Sequence, residues 1–117
     1  MSKLESKDWR EQFIDDQQKI AGECGKKLIE LGERLQAENE PGGKSIAEHG
    51  KKILQHGKLE QEQTQQALEQ NQANAYQSIE LAARERRKAT EEHVQAIEEY
   101  NEILLKKIRA NQEESKS

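Results

Sequence analysis

From Lys58 to the end of the chain there is neither a glycine nor a proline, and the only proline, Pro41, stands in "ENEPGG" between two stretches of strong helix formers. This distribution constrains the fold more than any motif. Proline removes a backbone donor and clashes inside a helix, and glycine adds backbone freedom that a helix must suppress. A chain whose one sharp break lies at residues 39–44 can therefore form one helix before it and a long helical stretch after it. The remaining letters support this. Glu, Gln, Lys, Arg, Ala and Leu dominate, and they lose little side-chain freedom in a helix. Strand-favouring Val, Thr and aromatic residues are scarce. The expected class is all-α.

The first helix is expected over about residues 5–38. Ser2 with Glu5 forms a capping-box pattern, and Ser6 is a second N-cap candidate. Trp9, Phe13, Ile20, Cys24, Leu28, Leu31 and Leu35 then recur at helical spacing. Pro41 disfavours helical geometry at Glu40, and Gly42-Gly43 offer turn conformations that other residues resist. A second helix is expected from Ser45, where "SIAE" reads as another capping box, to about residue 112, followed by a frayed polar tail at 112–117. The chain is expected to be a single domain, an elongated antiparallel helical hairpin of coiled-coil character. The alternative is a three-helix antiparallel bundle with a break near 71–78, where Asn74 and Gln77 could cap a new helix. The continuous helix is favoured because 71–78 holds no breaker, and because residues 60–72 offer only Ala67 and Leu68 to a core facing two neighbours.

"GKKLIELG" at 25–32 returns as "GKKILQHG" at 50–57. A chain reversal about Pro41 would set Gly32 opposite Gly50, Gly25 opposite Gly57 and Ile29 opposite Ile53. Each interior glycine costs about 1 kcal/mol relative to alanine, so four in matching positions point to close helix–helix packing at Gly25, Gly32, Gly50 and Gly57. The competing reading is a repeated helix whose glycines are merely tolerated.

Composition limits the chemistry. Apolar residues make up 32% of the chain and the net charge is −4, so neither a thick core nor a polyelectrolyte surface is expected. The single cysteine, Cys24, cannot form an internal disulfide and lies on an apolar stripe, as a small buried hydrophobe would. No segment reaches the roughly 18–20 apolar residues of a membrane span, and the N-terminus lacks the apolar core of a signal peptide. A cytoplasmic protein that does not bind membranes is expected.

No catalytic constellation stands out. His49 and His56 are seven residues apart, about 10 Å along a helix and too far to share a metal. They read as edge positions of the hairpin. His93 lacks the glutamate three residues before it that a di-iron bundle uses. "EPGGK" lacks the spacing of a phosphate-binding loop. The expectation is no enzyme, no metal and no cofactor. The densest basic cluster, Arg84, Arg86, Arg87 and Lys88, is interleaved with glutamates and spreads around the helix. It is a weak nucleic-acid candidate, better read as a solvated flank with i,i+4 ion pairs. Two apolar features suggest protein contacts. Ile79, Ala83, Val94, Ile97, Tyr100, Leu104 and Ile108 form a candidate face for a partner or a second copy. Trp9 and Phe13 could anchor the first helix near Ala73 or meet a partner. The sequence is therefore read as a non-enzymatic protein-interaction module, an adaptor, chaperone-like protein or scaffold that self-associates. A nucleic-acid-associated helical factor is the alternative.

Overall fold

The computed structural model describes residues 9–69 and 72–116. Three α-helices account for nearly all of them: α1 (Trp9–Ala37), α2 (Gly43–Glu69) and α3 (Gln72–Lys116). At 1.5 Å per residue, α3 spans about 67 Å, close to the 71 Å long axis of the molecule. The all-α expectation holds. The proposed caps at Ser2, Glu5 and Ser6 lie outside the described residues. So do the side chains of Trp9, Phe13 and Ala73, and with them the expected aromatic anchor.

The turn at 38–42 is made differently from the expectation. Asn39 takes a left-handed conformation, φ 63°. The Glu40 amide then donates to the Leu35 carbonyl (2.8 Å) and the Asn39 amide to the Gln36 carbonyl (2.9 Å). This pair of bonds is a Schellman cap, with Asn in the place glycine most often fills. Neither Gly42 nor Gly43 has a positive φ, so their conformational freedom is not what the turn uses. Their missing Cβ atoms matter instead. A Cβ on Gly42 would lie 2.7 Å from Ile103 Cδ1, and one on Gly43 would lie 2.7 Å from the Gly32 carbonyl oxygen. Helix α2 accordingly begins at Gly43, and Ser45 falls inside its first turn instead of capping it.

The chain reverses at residues 38–39 and not at Pro41, which shifts the register between α1 and α2. A Cβ on Gly32 would meet the Gly43 carbonyl oxygen and the Ala47 amide nitrogen, each at 2.5 Å. One on Gly25 would meet Leu54 Cγ at 2.6 Å and the Gly50 carbonyl oxygen at 2.9 Å. The pairs are thus Gly25 with Gly50 and Gly32 with Gly43, where the sequence suggested Gly25 with Gly57 and Gly32 with Gly50. Ile29 lies against Gly50. A Cβ at Gly25, Gly32 or Gly50 would meet backbone of the facing helix, with partners that differ from those the sequence suggested. The repeated octads lie side by side, with their first glycines in contact. Gly57 is buried and, with Gly22, borders an open cleft whose other walls include Lys19, Lys26 and Lys58.

The expected continuous helix from 45 to 112 is not found. Helix α2 ends at Glu69 and α3 starts at Gln72, so the three-helix alternative is the observed arrangement. Helix α3 runs back along α2: Gly42 lies by Ile103, His49 by Glu92 and Glu99, and His56 by Glu85. The packing is α1 on α2 and α2 on α3, making α2 the middle helix. The objection that the middle segment has too few apolar residues to face two neighbours fails for a physical reason. Over 60–69 the buried residues are Glu60, Thr64 and Ala67, with Glu60 hydrogen-bonded to Arg86 of α3, and nearer the first turn α2 meets α1 with glycines, which gain contact by letting backbones approach. The apolar cluster Leu28, Leu35, Ile46, Ile53, Ala96 and Ile103 fills the space between the three helices, and Ile46 is fully buried. Helix α3 continues to Lys116, since "QEESK" contains no breaker.

Candidate functional site: the two faces of α3

The apolar residues of α3 read as one stripe in the sequence but divide between two faces in the structure. Ala82, Ala89, Ala96 and Ile103 recur every seven residues and point toward α2 and the core. Small alanines allow α3 to lie close to α2. Roughly 120° further round the helix, taking about 100° per residue, Ile79, Val94, Ile97, Leu104 and Ile108 are exposed. Val94 and Ile108 retain 50% and 52% of their accessible surface. Of the other residues expected on this face, Ala83 is half-buried and Tyr100 packs against the core cluster. Tyr100 thus sits on the inner shoulder of α3. Leu105, at 50% exposure, joins the outer face.

The inner face also carries a polar ladder. His49 is buried, with Nδ1 at 2.5 Å from Glu92 Oε2 and Nε2 at 2.6 Å from Glu99 Oε2. Ionised carboxylates only accept, so a ring hydrogen-bonded to one on each side carries both protons and is an imidazolium. Burial of the ring opposes its charge, but the bonds to Glu92 and Glu99 and their negative charges outweigh burial and raise the His49 pKa above 6.5. Glu99 also feels desolvation, which is overcome by a hydrogen bond from Ser45 and by His49, so its pKa is lowered. Lys52 Nζ, 4.0 Å from Glu92, adds a second positive charge. Two cations and two carboxylates thus balance across this part of the interface. Two turns along α2, His56 Nδ1 lies 2.7 Å from Glu85 Oε2. Beyond it, Arg86 donates from Nε to the buried Glu60 at 2.7 Å. At the opposite end, Lys107 approaches Glu38 and Glu40 at 3.8 and 3.9 Å.

This ladder is a latch, not a metal centre. Glu92 and Glu99 address opposite nitrogens of one ring, so their oxygens do not converge on a common point. Among the described residues no group of three or more His, Cys, Asp or Glu side chains is arranged to hold a metal ion. The ladder also assigns part of the basic cluster. Arg86 is bound to Glu60, and Lys88 lies 3.5 Å from Glu85, while Arg84 and Arg87 are exposed. Cys24 is half-buried against the core, where burial raises its thiol pKa despite the opposing charge of Lys27. A thiol held protonated is a poor nucleophile.

The reading of His49 and His56 as hairpin-edge residues missed their role, although a signal was present. Glu85, Glu92 and Glu99 recur every seven residues, as do His49 and His56. Two matching heptads of opposite character are the pattern of paired helix faces. Among the described residues no helix is long and apolar enough to cross a membrane. Comparison with protein-family models, with curated proteins and with solved structures finds no match to this chain.

Proposed function

We propose that this protein is a non-enzymatic protein-interaction module that self-associates through the outer face of α3 and serves as an adaptor, chaperone-like protein or scaffold in a reducing compartment such as the cytoplasm. The observation that carries this reading is the exposed apolar seam Val94, Ile97, Leu104 and Ile108 on a helix whose other face is already occupied. Contiguous exposed apolar surface of this kind marks interaction sites in stable proteins. Helix α3 is held against α2, so docking a partner on it need not also supply the free energy of forming a helix. The half-buried lone thiol is consistent with a reducing compartment.

Sedimentation equilibrium of the native chain and of Ile97→Glu/Leu104→Glu tests the proposal. The native protein is expected to have the mass of two or more chains at micromolar concentration. The charged variant is expected to have the 13.5 kDa mass of one chain with its helical circular dichroism intact. A native monomer, or a variant that still associates, refutes the reading. Nucleic-acid binding through Arg84, Arg86, Arg87 and Lys88 is the weaker alternative, because Arg86 and Lys88 already face Glu60 and Glu85. It requires binding to duplex DNA or RNA that falls steeply with added salt.

A further inference from the structure

We infer that the occupant of the α3 seam is a second copy of this chain, docked parallel and in register as a two-stranded coiled coil about Asn101. This inference rests on the self-association reading and goes further by specifying orientation and stoichiometry. On the outer face, Val94, Ile97, Asn101, Leu104, Ile108 and Asn111 follow spacings of three and four. With Val94 at a, the a positions hold Val94, Asn101 and Ile108, and the d positions hold Ile97, Leu104 and Asn111. β-Branched residues at a, with Leu among the d residues, favour two strands. A single polar Asn at an interior a position selects the register in which it meets its own equivalent. All six residues are exposed, on the side of α3 away from the α2 latch.

The flanking positions favour the parallel orientation. In a parallel pair, position g of one heptad approaches position e of the partner's next heptad. His93 then meets the partner's Glu98, and Tyr100 meets the partner's Leu105. An antiparallel pair would instead set a positions against d positions, so Asn101 would face the partner's Leu104 or Ile97, an amide buried against an aliphatic side chain, and could not meet its own equivalent. Toward the start of α3 the seam ends at Arg87, an a position that would bring two guanidinium groups together. The coiled coil is therefore confined to the part of α3 beyond Arg87, and both α1–α2 hairpins lie on the outside of one parallel pair.

Disulfide trapping under a glutathione redox buffer, in a Cys24→Ala background, tests the orientation, with mass measured on the same samples. Asn111→Cys alone is expected to give mostly covalent dimer. A mixture of Asn111→Cys and Val94→Cys chains, residues that share a layer only in an antiparallel pair with Asn101 on Leu104, is expected to give almost no cross-link between the two kinds. The reverse result, cross-linking of the mixture but not of Asn111→Cys alone, means an antiparallel pair: it overturns this inference and leaves self-association intact. A monomer at tens of micromolar overturns both. In the native background, Asn101→Val is expected to raise the melting temperature and shift the mass toward three or four chains. An unchanged mass and melting temperature would place Asn101 outside the seam and overturn the inference.

Discussion

Substituting Gly32 with alanine isolates the packing claim for α1 and α2, because the local geometry and the helix propensity push in opposite directions. In an open helix interior Gly→Ala stabilises by about 1 kcal/mol. At Gly32 the new Cβ would lie 2.5 Å from the Gly43 carbonyl oxygen, 2.5 Å from the Ala47 amide nitrogen and 2.7 Å from Ala47 Cβ. Two of these neighbours are backbone, and Ala47 Cβ is fixed directly to it, so no rotamer change relieves the clash. The helices must move apart. Overpacking of this kind costs about 1–3 kcal/mol, and contact with unyielding backbone places Gly32 at the upper end. Setting about 3 kcal/mol against the propensity gain leaves a net loss of about 2 kcal/mol. Gly22→Ala is the internal control, since nothing lies within 4 Å of its new methyl group. It is expected to stabilise by roughly 0.5–1 kcal/mol. Urea unfolding followed by circular dichroism at one protein concentration gives both values. If Gly32→Ala stabilises as much as Gly22→Ala, the close approach of α1 to α2 is refuted.

The His49 latch should make stability depend on pH. The raised His49 pKa contributes stability that is complete below about 6.5 and is lost as pH rises through the folded value, while the lowered Glu99 and Glu85 pKa values contribute stability present above about 4.5 and lost as pH falls through theirs. Melting temperature is therefore expected to be highest between these limits, and His49→Gln should flatten the alkaline side; an unchanged profile in that variant argues against the latch. Ile46→Ala removes a fully buried side chain from the core and should cost about 2–5 kcal/mol in chemical unfolding, with a loss below 1 kcal/mol contradicting the placement of the core. Arg86→Gln removes a charged partner of the buried Glu60 and should destabilise by about 1–3 kcal/mol, whereas exposed Arg84→Gln should stay within about 0.5 kcal/mol.

Helix content and the position of the first turn were legible in the sequence because they depend on local chemistry. The breaker at 39–44 and the absence of Gly and Pro after Gly57 determine where helices can run. Two features were not legible from local rules. The first is register. Asn39 takes the left-handed position usually associated with glycine, so the reversal lies ahead of Pro41, and Gly43 becomes a packing residue. The second is the fold-back of α3. Apolar content over 60–72 is a poor guide because that stretch buries Glu60, hydrogen-bonded to Arg86 of α3, and Thr64, hydrogen-bonded to the Glu60 carbonyl, beside Ala67, and a count of apolar side chains assigns no value to hydrogen-bonded polar groups. The candidate face was legible in composition but not in direction. Helical spacing groups Ala96 and Ile103 with Ile97 and Leu104, and only the placement of α2 separates the inner residues from the outer ones.

Helix α3 lies back along α2, which leaves one of its faces latched and the other open. Energy transfer between dyes on Ala37→Cys and Arg109→Cys, in a Cys24→Ala background diluted with unlabelled chain, tests this most directly. Lys107 lies 3.8 Å from Glu38, so the two dyes should sit at the same end of the molecule and transfer should be nearly complete. A helix continuous from 43 to 109 would separate them by about 100 Å at 1.5 Å per residue, and negligible transfer would contradict the account.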